Sequence, residues 1–62
     1  MTVTVPGYST LTGRPEVIIN LLKETDIFEK NDINIEAFLE VGGQAEFLLF
    51  AMAATGLIEI SD

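Results

Sequence analysis

"AEFLLFAMAATG" (Ala45–Gly56) sets eight consecutive apolar residues, Phe47–Ala54, between one carboxylate and a glycine. These residue types favour a helix, and a glycine just past the end is a common stop. The stretch therefore predicts a helix over 44–55. An ordinary surface helix keeps a polar face for water, but this one has none. What covers it, in a chain of 62 residues, decides both fold and function.

At 100° per residue, Phe47, Phe50, Ala51 and Ala54 share one face of this helix. Leu48, Met52 and Thr55 share another, with Leu49 and Ala53 between them. The rest of so small a chain covers only part of the circumference. One flank, Leu48–Met52–Thr55 or the alanine-rich strip, is left for a second molecule. Small residues allow close helix approach there, and Met adapts to irregular partners. The contact is assigned to Phe47, Leu48, Met52 and Thr55, and the core to Ile18, Leu21, Leu22, Phe38, Phe50 and Leu57. A compact core hiding the whole helix is the competing arrangement.

Upstream, "MTVTV" alternates Thr with Val and predicts a strand over 2–5, ended by Pro6-Gly7. "YSTLTGR" reads as a loop. Pro15 marks a helix start, with Thr12 or Gly13 near the cap and Glu16 at the positive end of the dipole. Val17, Ile18, Leu21 and Leu22 fall on one face with Ile19 beside it, so a helix is expected over 15–28, through "TDIFEK". Asn31-Asp32 signals a turn, and Asn34 is the N-cap of a short helix over 35–41, ended by Gly42-Gly43. "LIEIS" predicts a strand over 57–61. The fold class expected is mainly α with a small β element. Three helices form a winged-helix or helix-turn-helix-like core, and the two terminal strands pair.

Composition narrows the function. A single small domain of this size has marginal stability unless something assists it. With no Cys and no His, disulfides and thiolate or imidazole metal sites are excluded, which leaves a partner. The apolar fraction of 48% argues against disorder. A net charge of −7, with only Arg14, Lys23 and Lys30 positive, disfavours direct nucleic-acid binding and anionic membranes. The apolar run is too short for a membrane span, and no basic segment with an apolar stretch opens the chain. A complete, soluble cytoplasmic protein is expected.

Asp26, Glu29, Asp32, Glu36 and Glu40 crowd the middle of the chain. They form either a solvated face or a nucleic-acid mimic that occupies a binding protein. An EF-hand loop starting at Asp26 fails, since its third position is Phe28 and no central Gly follows. "VGGQ" lacks the lysine and spacing of a phosphate loop. Ser9, Tyr8 and Lys23 have no companions that would make a nucleophile and base. No enzyme, cofactor or metal is expected.

"LLFAMAATGLIEIS" resembles the end of the winged-helix module of many bacterial proteins, where an apolar helix precedes a "GLIE" phrase. "TDIFEKNDINIEAFLEV" is similar to the N-terminal dimerisation module of O-methyltransferases, and "EFL…GLIEI" to small chaperones that present leader peptides to modifying enzymes. The likeness covers about residues 15–60 and implies an architecture with no site residues. No methyltransferase catalytic domain is present, and the peptide-binding type carries more strand sequence ahead of its helices. The function expected is a small acidic interaction or dimerisation module, as a homodimer or on a larger protein. An inhibitor acting through the acidic face, or an accessory subunit of an enzyme encoded elsewhere, is the alternative.

Overall fold

The structure, a computed structural model, describes residues 1–61. In chain order it contains β1 (Thr2–Thr4), β2 (Leu11–Thr12), α1 (Pro15–Lys23), α2 (Ile27–Lys30), α3 (Ile35–Glu40), α4 (Ala45–Ala54) and β3 (Glu59–Ser61). Four helices pack with a small antiparallel sheet of order β2-β1-β3. The two ends of the chain do pair: Thr2 stands opposite Ser61, Val3 opposite Ile60 and Thr4 opposite Glu59. Both strands are shorter than expected. The segment expected to be only loop adds a third strand, with Val3 opposite Leu11. Two residues are too few to show an alternation, so β2 leaves no periodic signal.

α1 starts on Pro15 at its first turn, with Glu16 near its start and Lys23 in its last turn, each matched to the helix dipole. The expected helix over 15–28 is corrected to two pieces. The Thr25 hydroxyl donates to the Leu22 carbonyl at 2.6 Å and accepts from the Ile27 amide at 3.3 Å. One side chain thus closes α1 and opens the single turn of α2. Thr and Asp compete with the backbone ladder in this way, which is why "TDIFEK" breaks where its apolar spacing suggested continuity.

Asn34 caps α3 as expected, accepting from the Ala37 amide at 3.0 Å. The helix ends on Gly42, at φ +84°, a left-handed conformation that favours glycine. The Gly43 amide returns to the Phe38 carbonyl at 2.9 Å. α4 ends similarly: Gly56 has φ +84°, and the Leu57 amide returns to Met52 at 3.0 Å.

The core joins Val3, Val5 and Ile58 to Ile18, Ile19 and Leu22 of α1, to Ile27, Phe28 and Ile35, and to Ala45, Leu48, Leu49 and Met52 of α4. Leu57 and Phe38 are half-buried against it. Two assigned core residues lie outside. Leu21 is exposed while Ile19 is buried, because the buried arc of α1 is centred on Ile18, Ile19 and Leu22. Phe50 is 46% exposed. No helix among the described residues is long and apolar enough to cross a membrane.

Candidate interaction face

α4 divides into two apolar faces. Ala45, Leu48, Leu49 and Met52 point into the core, and Leu49 is fully buried. Phe47, Phe50, Ala51 and Ala54 point outward, with Phe47 62% exposed. Phe50, assigned to the core, therefore stands in water on the same face as Phe47. Leu48 and Met52, assigned to a partner, are corrected to the chain's own core. Thr55 is exposed, and its hydroxyl donates to the Met52 carbonyl at 2.9 Å, satisfying one of the last helix carbonyls. Of the four assigned contact residues, Phe47 alone stands on the outer face. Phe50, Ala51 and Ala54 complete it, and their common spacing with Phe47 is the signal that grouped them.

The reason lies in composition. A helix apolar on every side carries no facing information, since each rotation buries a similar area. The choice falls to the neighbours, chiefly α1, its main packing partner. The surface beside the buried Leu48 and Met52 still opens into a shallow apolar hollow of about 400 Å³, shared with Ile33, Thr55 and Leu57. A larger hollow, about 490 Å³, lies where the start of α1 meets Leu39 and the start of α4. Its rim carries Arg14, Glu16, Asn20, Gln44 and Glu46, all exposed.

The residues of the expected acidic face lie in water. Asp26, Glu29, Asp32, Glu36 and Glu40 are all exposed, spread over α2, α3 and the turns beside them. Among the described residues no group of three or more ligand-type side chains is placed to hold a metal ion. Asp26 is engaged within the fold: it accepts a hydrogen bond from the Tyr8 hydroxyl, joining the β1–β2 loop to the α1–α2 break. That bond holds the Asp26 carboxyl below the usual carboxylate range, with Lys30 adding to the effect, and it pushes the Tyr8 phenol up. No polar or charged side chain is buried among the described residues.

No protein-family model, curated protein or solved structure matches the chain.

Proposed function

We propose that the chain is a small non-catalytic interaction module that docks through the outer face of α4, on a scaffold of winged-helix-like outline. The observation that carries this reading is the exposure of Phe47 and Phe50 on one apolar helix face. Exposed single hydrophobic residues are ordinary; here two aromatic rings adjoin on one apolar helix face. By their exposed fractions the two rings offer roughly 200 Å² of apolar surface. Covering it would gain about 5 kcal/mol before association costs. With the single-turn α2 counted as part of the link between α1 and α3, the order α1, α3, tight turn, α4, β3 supports the winged-helix outline. An acidic mimic is less well supported, because Asp26 already has a partner within the fold.

Nile red, an uncharged solvatochromic dye, tests the face directly. The folded chain should bind it, Phe47→Asp should lose most of that binding while staying folded by circular dichroism, and Asp32→Asn should keep it. Dye binding unchanged by Phe47→Asp would defeat the reading.

A further inference from the structure

The outer face of α4 has an order of residues that selects its occupant. Bulky side chains stand at 47 and 50 and small ones at 51 and 54. The pattern is inverted about the midpoint between Phe50 and Ala51, each bulky position mirrored by a small one. Resting on the docking reading above, we propose that the occupant is a second copy of this chain, packed antiparallel on α4 about a two-fold axis passing between Phe50 and Ala51.

Such an axis brings the same patch of both copies together, so residue i meets j and j meets i. Antiparallel, Phe47 of one copy lies over Ala54 of the other at each end of the contact. Near the axis, Phe50 meets its counterpart along one flank and Ala51 its counterpart along the other. At both ends a large side chain falls on a small one, and along the Ala51 flank the helices can approach closely. A parallel pair would stack Phe47 on Phe47 at one end and Ala54 on Ala54 at the other. The result would be a wedge with a gap. Opposed helix dipoles also favour the antiparallel pair.

Charge supports a like partner at this place. Two copies of net charge −7 repel, yet no residue from Phe47 to Ile58 is charged, and Glu46 is the only charge on α4. Copies meet there where repulsion is least, and a basic partner would find little to pair with. Area sets the strength. A standard interface covers about 800 Å² on each side, a fifth of the 4122 Å² this chain exposes. A ten-residue helix is about 15 Å long and falls short of that area. The dimer is therefore of the weak class, visible as concentration rises.

The test is mass in solution by light scattering from about 10 μM to 1 mM, with folding checked by circular dichroism. The expected result is a monomer–dimer equilibrium that Phe47→Asp abolishes. Ala54→Phe alone should also abolish it, because the new ring collides with Phe47 of the other copy. The exchange Phe47→Ala with Ala54→Phe should restore it. All substituted positions are exposed in the monomer, and Ala51→Glu provides a second disruptive variant should any of them fail to fold. A dimer that survives Phe47→Asp, or one that tolerates Ala54→Phe, would overturn the proposal. So would a wild-type chain that stays monomeric throughout. If that monomer still binds Nile red through Phe47, only the second copy is lost; if it does not, the docking reading falls as well.

Discussion

α1 and α4 are nearly equal in length and pack against each other, but they use their side chains differently. α1 is amphipathic: Glu16, Asn20, Lys23 and the following Glu24 stand in water, and Ile18, Ile19 and Leu22 are buried. Its orientation follows from keeping charge wet. α4 has one charge at its first turn and apolar residues thereafter, so it could have been buried by any side. Polar residues thus tell a helix which way not to face. Where they are missing, neighbours settle the orientation, and the surplus apolar face becomes available for other contacts.

The strongest way to break this comparison is to empty the inner face of each helix. Leu22→Ala in α1 and Leu49→Ala in α4, both at fully buried positions, should each cost about 2–5 kcal/mol in urea unfolding. A much smaller loss at Leu49 would mean that α4 is not seated by that face. Next comes the turn that delivers α4. A Cβ at Gly43 would overlap the Phe38 ring, so Gly43→Ala should cost about 1–3 kcal/mol in the same assay. Near-wild-type stability there would show that α3 can slide and that the facing of α4 is loosely held.

A smaller effect is expected where α1 ends. The Tyr8–Asp26 bond needs an ionised carboxylate and a protonated phenol. Asp26 has a lowered folded value, so its contribution is present above the unfolded value, about 4, and lost as pH falls through the folded one. Tyr8 has a raised folded value, so its contribution is present below about 10 and lost as pH rises through the folded one. Thermal midpoints of wild type and Tyr8→Phe should differ at neutral pH and converge at both extremes. A gap that persists at low pH would assign the effect to packing. Least of all should happen on the outer face: Phe50→Gln, measured on dilute chain, should move stability by no more than about 0.5 kcal/mol. That near-neutral change beside the costly Leu49→Ala is the sharpest contrast the helix offers.

The stops of α3 and α4, the Asn34 cap and the strand character of "TVTV" and "LIEIS" were legible, because each depends on local residue chemistry or on plain alternation. The break at Thr25 was hidden, since a threonine inside apolar spacing reads as tolerated until its hydroxyl is seen bridging two backbone groups. β2 was hidden by its shortness. At the candidate face, the grouping of Phe47, Phe50, Ala51 and Ala54 came from helical geometry alone. Its exposure did not, and Leu48 and Met52 were misplaced for that reason.

By itself, the sequence determined where α1 starts, where α3 and α4 stop, and that α4 carries more apolar surface than a small fold requires. Those properties are set by short-range sterics, capping hydrogen bonds and residue counts. Only the tertiary structure decided that Leu48, Leu49 and Met52 turn inward and that Phe47 and Phe50 turn outward. The hydrophobic effect rewards buried area without regard to direction, so on a uniformly apolar helix the shape of the neighbours selects the face.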